Sequence, residues 1–405
     1  PVVVHTSMSL TSNLSGVVEG RTDGQGRYRL RPFPGSRVTV SVHPHAGEPY
    51  PDLVQEIEWP KASARLEADM SVPRGLLIQG KVQDSKSGRS VPGAVVHYNW
   101  ADYFRQIRGR SGARLEPRDA RSGPDGTFAV AVPPGLGHLL VKATEPDYIH
   151  AEITYGELDG GRPGGHSWFP DAFVPFRLKA TDEPPEVTVK LRRGVSVRGR
   201  VVGSDGRPVP SAMLFSKSYI PASYYPKHFE VEGHNLPVRN GRFELPGCEP
   251  DSKVAVWIYD PERKEGAVVE VPTGGGVEPE VRLAPCVSAR VRFVDSDGLP
   301  IPKPSMTNFT LVLRDGLDRN KSREKGTPAA LEISPYRIHG RTFELTQAGG
   351  GYLVFPRLIP GALYAIQASQ RRGPSDPWDW SERVTFTAPP AGTIELDPIR
   401  IRPMR

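Results

Sequence analysis

Short runs in which apolar and polar residues alternate recur along the whole chain. Residues 38–42 are Val-Thr-Val-Ser-Val and residues 187–191 are Val-Thr-Val-Lys-Leu. An alternation with a period of two is typical of β-strands that bury one face. Gly 42 and Pro 43 together make up about a fifth of the 405 residues, and they separate these runs. Because Gly and Pro favour turns, the pattern predicts a folded, all-β chain.

One longer motif appears four times: a turn, an aromatic residue, an alternating strand and a Pro-Gly corner. Its aromatic residues are Tyr28, Phe128, Phe243 and Tyr352, about 100 to 115 residues apart. Asp-Gly or Asn-Gly before the aromatic, with Gly126 and Gly241 in the second and third copies, supplies the positive φ of a tight turn. We expect each aromatic to anchor its strand in the core. The spacing fits whole β-sandwich domains rather than solenoid repeats.

A second motif opens the repeats. It comprises Gly80-Lys81-Val82, Gly199-Arg200-Val201 and a weaker copy, Ala289-Arg290-Val291, each followed by a Gly- or Pro-containing turn. Together with the Asp-Gly-x-Phe and Pro-Gly elements, these residues resemble the carboxypeptidase regulatory-like domains found in bacterial multidomain proteins. The resemblance implies immunoglobulin-like (transthyretin-like) antiparallel β-sandwiches and no catalytic residue, because the family motif consists of turn and core positions.

The repeats predict four domains. These are a partial sandwich at 1–74 (the second half of a repeat), a sandwich at 75–193 with two long insertions, and sandwiches at 194–285 and 286–405. At the junctions after the second and third domains, a closing strand precedes the next opening strand by only a few residues, without a Gly/Ser-rich linker. Since short junctions restrict motion, we expect an elongated rod.

The insertions of the second domain hold the candidate binding residues. The first insertion carries aromatic and basic side chains, which are Trp100, Tyr103, Arg105, Arg108 and Arg110, and the second carries Trp168. Guanidinium groups beside aromatic rings suit an anionic glycan or an acidic protein face, and an exposed Trp can stack on a sugar. The alternatives are a solvated arginine-rich loop and a Trp that folds back to cover its own domain.

Other chemistry is weakly indicated. Cys248 and Cys286 fall in or next to the third domain and form either one disulfide or two unpaired thiols. His43 and His45 lack a third ligand nearby, so we predict neither a metal nor a cofactor. Hydrolase, metalloprotease and phosphate-binding motifs are absent from the sequence, which argues against an enzyme. The net charge of +6 comes from a mixed surface, so nucleic acid is not an expected partner.

Three functional hypotheses remain. The leading one is a non-catalytic spacer, surface or fibre component that contacts protein partners or itself through sandwich edges and loops. The others are a module that binds carbohydrate or another anionic polymer, and an accessory region of a larger enzyme or transcription factor. The sequence has no apolar run long enough to span a bilayer. The N-terminal residues from Pro1 include neither an initiator Met nor a leader pattern, so we expect a fragment or processed product. We expect it to be extracellular or at the cell surface, or cytoplasmic if it is joined to a transcription factor.

Overall fold

The structure of the protein is a computed structural model. It describes residues 3–11, 14–32, 36–60, 63–101, 113–116, 118–165, 167–220, 235–274, 276, 278–301, 304–313, 331–334, 338, 345–371 and 377–402. The described chain forms two compact units. Unit 1 takes in the residues up to Thr144 together with Ala151–Arg192, and unit 2 takes in Glu145–His150 and the residues from Arg193 onward.

Unit 1 is built from fourteen strands and one short helix, Tyr155–Leu158, within its described residues. The strands are β1 (Val3–Thr11), β2 (Leu14–Arg21), β3 (Arg37–His43), β4 (Asp52–Glu58), β5 (Leu76–Asp84), β6 (Val95–Trp100), β7 (Ala113–Glu116), β8 (Ala120–Arg121), β9 (Thr127–Val132), β10 (Gly135–Lys142), β11 (Ile153–Thr154), β12 (Ser167–Trp168), β13 (Ala172–Leu178) and β14 (Glu186–Leu191). They pair in the orders β2-β1-β3-β4-β7, β13-β10-β6-β8, β14-β5-β9 and β11-β12. All of these pairs are antiparallel except β5 with β14.

The described residues of unit 2 also lie mainly in strands, with a turn of 3-10 helix at Gly349–Gly351 and a helical residue at Ile338. The strands are β15 (Val195–Val202), β16 (Ser211–Phe215), β17 (Leu236–Arg239), β18 (Arg242–Cys248), β19 (Lys253–Asp260), β20 (Glu265–Pro272), β21 (Glu280–Arg282), β22 (Ala284–Pro285), β23 (Val287–Val294), β24 (Pro300–Ile301), β25 (Met306–Leu313), β26 (Leu331–Ile333), β27 (Thr346–Ala348), β28 (Tyr352–Leu358), β29 (Leu363–Gln370), β30 (Asp379–Ser381), β31 (Val384–Thr387), β32 (Thr393–Glu395) and β33 (Ile399–Arg402). Strands β15–β22 form one continuous sheet and β23–β33 form another.

The alternation of the sequence matches the burial of the strands. Val38, Val40 and Val42 of β3 are buried while the polar residues between them are not. Strand β10 differs, because its last six residues are all buried. Its outer face is covered by the second insertion, whose residues Ile153, Leu158 and Trp168 pack with Val95 and Leu140. The prediction of an all-β chain of successive β-sandwiches is confirmed.

In the second and third copies, the repeat glycines form turns and the repeat aromatic residues lie in the core. Gly126 has φ 81° and Gly241 has φ 69°, which L side chains rarely adopt. Phe128 and Phe243 are 6% and 4% exposed and lie directly opposite Gly80 and Gly199 of the opening strands. In the first copy Tyr28 is half-buried.

The fourth copy corrects the sequence prediction. Tyr352 is half-buried and lies opposite Arg292, whose guanidinium carbon is 4.5 Å from the centre of the tyrosine ring. The tyrosine hydroxyl donates to Glu395. Phe355 is fully buried opposite Ala289 and takes the core position that was expected for Tyr352. The reason is the spacing after the turn glycine. Tyr352 directly follows Gly351, whereas the aromatics of the other copies stand two residues after theirs, so Tyr352 faces the opposite side of its strand.

The domain boundaries at 74, 193 and 285 stay a prediction. One sheet contains strands from both sides of the first boundary. Strand β7 comes from the first insertion of the predicted second domain. It pairs with β4 and thereby extends the sheet of the predicted first domain. In register, Leu53 lies opposite Leu115 and Val54 lies opposite Arg114.

Candidate functional site

Most of the predicted arginine loop lies outside the described residues, including Tyr103, Arg105, Arg108 and Arg110. Trp100 ends β6 and is 7% exposed. A Cβ on Gly135 would lie 2.8 Å from the indole nitrogen of Trp100, so the ring packs directly against the start of β10.

Trp168 is a core residue of the second insertion. It is 5% exposed, and its ring centre is 5.9 Å from that of His97. The insertion folds back over the sheet, as in the alternative considered for this residue. The indole ring of Trp168 is therefore packed against the protein. Binding by Trp168 or by the arginine loop stays a prediction.

A groove of about 780 Å³ lies in unit 1 beside the described end of the first insertion. Charged side chains line it, which include Glu48, Asp52, Arg118, Asp119 and Arg121. Arg118 donates to the carbonyl of Pro44 (3.3 Å), and Arg121 donates to the carbonyl of Gly93 (3.2 Å). The groove therefore presents both signs of charge and suits a polar partner of mixed charge.

Two of the residues that line the groove, Asp52 and Asp119, belong to histidine–aspartate pairs. Nδ1 of His43 is 2.6 Å from Oδ2 of Asp52, and Nδ1 of His97 is 2.6 Å from Oδ1 of Asp119. A carboxylate at Nδ1 fixes the orientation of an imidazole, which serves acid–base chemistry or stabilises a fold. Here the first pair joins the facing ends of β3 and β4. The second fixes the segment before β8 to β6. Their positions favour a structural role.

A buried lysine stabilises the second insertion. Nζ of Lys142 donates to the carbonyl of Phe169 (2.7 Å) and lies 3.8 Å from Oδ1 of Asp171. The other carboxylate oxygen of Asp171 accepts from the amide of Ala143 (2.7 Å). Burial lowers the pKa of Lys142 to about 8, although Asp171 opposes the shift. Sequence reasoning missed this group; its signal was a single Lys inside the apolar run 139–143.

The two cysteines are not joined. Cys248 is buried and Cys286 is half-buried, and both thiols are free. Sγ of Cys248 points to the carbonyls of Leu245 and Pro246 in its own strand. Cys286 instead borders Tyr259 and Glu265. Because the side chains have different surroundings, the disulfide left open by the sequence is not formed. Burial raises the pKa of both thiols to about 12.

Comparisons with known proteins give similarity at the level of solved structures. Neither a protein-family model nor a curated protein matches the chain. Among solved structures, the TIE protein of Bacillus anthracis matches with 9% identity, covering 99% of this chain and 69% of that one, at a TM-score of 0.21. A streptococcal ancillary pilin matches with 12% identity over 81% of this chain and 100% of its own, at a TM-score of 0.18. BcpA, the major pilin subunit of Bacillus cereus, matches with 7% identity over 81% and 99%, at 0.17.

Identities and TM-scores this low carry no functional argument, so function rests on the chain's own geometry. The resemblance to carboxypeptidase regulatory-like domains likewise stays a prediction. Within the described ranges, no helix is long and apolar enough to cross a membrane. In the same ranges, no cluster of three or more His, Cys, Asp or Glu side chains is placed to hold a metal ion.

Proposed function

We propose that the chain is a non-catalytic structural segment of an extracellular or cell-surface protein, whose successive β-sandwiches space or display other parts. The observation that carries this proposal is the β4–β7 ladder. A strand from the insertion of the second predicted domain completes the sheet of the first. A sheet shared by two domains resists their bending and separation far better than a single connecting segment does, because several backbone hydrogen bonds must break together.

The chain between these two predicted domains is also held tightly. The amide of Gly75 donates to the carbonyl of Pro49 (2.8 Å). A Cβ on Gly75 would lie 2.2 Å from the carbonyl oxygen of Val132 and 3.4 Å from Pro51, so the backbone is packed between them. Since a residue with a side chain does not fit here, the connection behaves as part of the fold rather than as a linker.

Within unit 2 the start of the predicted third domain is fixed by polar contacts as well. Arg193 bonds Asp147 (2.8 Å), and its guanidinium carbon lies 4.7 Å from the centre of the Tyr148 ring. The amide of Gly194 donates to the carbonyl of Asp147 (2.8 Å). At the next boundary, the amide of Cys286 donates to the carbonyl of Lys264 (2.8 Å). Backbone hydrogen bonds at consecutive boundaries favour a segment that transmits force over one that flexes.

Removal of the β4–β7 ladder tests the proposal. Leu115→Pro takes an amide out of β7, and Leu115→Val keeps the amide and an aliphatic side chain that suits a strand. We expect unit 1 of the unchanged chain and of Leu115→Val to unfold in one calorimetric transition. Leu115→Pro should separate it into two, with the first domain melting at the lower temperature. A single transition at an unchanged temperature in Leu115→Pro would show that the shared sheet does not join the domains mechanically.

A binding role for carbohydrate or another anionic polymer is the second candidate, favoured by Arg118 and Arg121 at the groove. Retention on a heparin column distinguishes its two versions. If the arginine loop binds, Arg105→Ala with Arg108→Ala lowers retention. If the groove binds, Arg118→Ala with Arg121→Ala does so instead. Unchanged retention in both double variants excludes this candidate.

A further inference from the structure

Two extended segments of the predicted first domain have the side-chain pattern of strands but are not paired by backbone hydrogen bonds to any described strand. We name residues 27–32 and 65–72 the acceptor segments. In both, exposed residues alternate with half-buried ones, and neither segment is part of a sheet. Among the described residues, the backbone amides of 28–31 and 66–72 have no hydrogen-bond partner. Unpaired backbone groups in a row are what a strand edge presents to an incoming strand.

The equivalent segments of the second and third repeats flank an opening strand. Strand β5 lies between β9 and β14, and β15 lies between β18 and β21. In each case the opening strand is antiparallel to the first flank and parallel to the second. These three-stranded arrangements bury the inward side chains almost completely, as shown by Val189 and Val281, each 2% exposed.

A glycine of the opening strand makes room for an aromatic ring and a carbonyl. A Cβ on Gly80 would lie 2.2 Å from the carbonyl oxygen of Val187 and 2.7 Å from the ring of Phe128. On Gly199 it would lie 2.3 Å from the ring of Phe243. The aromatic residue of one flank therefore leans over the glycine toward the other flank. Only a residue without a side chain allows this approach.

The first repeat retains the flanking part of this arrangement. Tyr28 is its aromatic residue, and the tyrosine hydroxyl donates to the carbonyl of Ala68 in the second acceptor segment (2.8 Å). The ring thus spans the two acceptor segments with no described strand between them. Their inward residues Leu30, Leu66 and Met70 remain only partly buried against the core of Val38 and Val40. An added strand would bury these apolar side chains further, which favours its binding.

From these observations we propose that the acceptor segments bind an extended strand of a partner polypeptide with the side-chain pattern of β5 and β15. The strand runs antiparallel to 27–32 and parallel to 65–72, with aliphatic residues inward and a glycine opposite Tyr28. Its outward residues carry both signs of charge, because opposite charges on neighbouring strands attract and the exposed charged residues are basic along the first acceptor segment (Arg27, Arg29 and Arg31) and include acidic ones along the second (Glu67 and Asp69). The proposal does not depend on the structural function proposed above, since a binding module could accept a strand equally well.

Hydrogen exchange of the 405-residue chain with synthetic peptides tests this inference. The first peptide has the sequence of β5, Leu76–Asp84. The control peptide carries Gly80→Val. We expect the first peptide to slow amide exchange in 28–31 and 66–72 at least tenfold. The Gly80→Val peptide should give no protection, because its side chain meets Tyr28.

Three results would overturn the proposal. The first is unchanged exchange in the acceptor segments at saturating peptide. The second is equal protection by the Gly80→Val peptide, which would mean that the site does not recognise the glycine. The third is protection that rises with protein concentration in the absence of peptide, which would identify a second copy of the chain as the occupant. A Leu30→Lys chain, which places a charge on the inward face, should lose peptide protection but keep the exchange pattern of unit 2.

Discussion

Nζ of Lys142 lies 3.8 Å from Oδ1 of Asp171, and the two side chains are only 1% and 2% exposed. Lys142 ends β10, and Asp171 immediately precedes β13, the strand paired with β10. The pair therefore links the two ends of the segment between β10 and β13, which contains Trp168. A charged pair this deeply buried is tolerated because both partners also hydrogen-bond to the backbone, at Phe169 and Ala143. Its role follows from this position: it anchors the insertion to the sheet.

Removal of the lysine should be costly. Lys142→Ala leaves the Asp171 carboxylate buried without its cation, and breaking such a pair costs about 3–5 kcal/mol. Lys190→Ala is the matched control, because Lys190 is exposed on a strand of the same predicted domain and should change stability by about 0.5 kcal/mol or less. Urea denaturation measures both. Equal stability of the two variants would contradict the anchoring role of Lys142.

The same lysine predicts a pH dependence. Burial lowers its pKa in the folded chain from the ordinary 10.5 to about 8. Between these values the unfolded chain binds a proton that the folded chain does not, so stability should rise with pH. Below about pH 8 Lys142 is protonated in both the folded and the unfolded chain, so the folded state carries the full free-energy cost of burying the charged amine. The measurement is the stability of the unchanged chain minus that of Lys142→Met, from about pH 7 to about pH 10. A difference that stays flat or falls would be contrary to this expectation.

The other buried ionisable groups are common to both chains in that comparison. Burial raises the pKa of Tyr98, Tyr259 and Tyr364. The unfolded tyrosines lose their protons near pH 10 while the folded ones keep them, so stability falls with pH above that value. Subtraction of the Lys142→Met curve removes this contribution.

The contact between Gly199 and Phe243 predicts a specific coupling. In Gly199→Ala the new Cβ would lie 2.3 Å from the Phe243 ring, which should cost about 1–3 kcal/mol or more. Gly24→Ala is the control, because nothing lies within 4 Å of a Cβ there. Adding Phe243→Leu should recover part of the loss in Gly199→Ala, although Phe243→Leu alone destabilises. Strictly additive effects in this double-mutant cycle would refute the proposed contact.

The cysteines predict slow thiol chemistry. The thiolate is the reactive form, and burial raises the pKa of Cys248 and Cys286 to about 12. A thiol reagent at neutral pH should therefore modify the folded chain slowly and both residues promptly in denaturant. The intact mass should be the same with and without reductant. A mass lower by two hydrogens without reductant would demonstrate a disulfide.

The local features of this fold were accessible from the sequence. Alternation placed β3 correctly, because one face of that strand packs on the core and the other meets solvent. The turns at Gly126 and Gly241 followed from Asp-Gly and Asn-Gly respectively, since few other residues adopt their positive φ. The glycine of the opening motif was visible in the sequence as a repeated position, but the sequence did not show why a glycine is required there. That cause, the aromatic ring of Phe128 lying over Gly80, is a contact between strands distant in sequence.

Other features depend on long-range pairing that local patterns do not encode. Nothing near residues 113–116 indicates that β7 joins the sheet of the preceding predicted domain. The burial of Trp168 follows from the path of the insertion over β10, whereas its composition also suited an exposed loop. The misplacement of Tyr352 has a local cause instead. Tyr352 directly follows the turn glycine Gly351, so it and Phe355, three residues further on, face opposite sides of β28.

The most direct test of the structural role is single-molecule force spectroscopy on the full chain. We predict discrete unfolding events, with releases of about 30–40 nm for each of the ranges 194–285 and 286–405, from an extended length of about 3.6 Å per residue. Such events are what a segment that bears load between other parts must show. Smooth extension at low force, or release of the entire chain in one event, would contradict the account of successive sandwiches that resist extension.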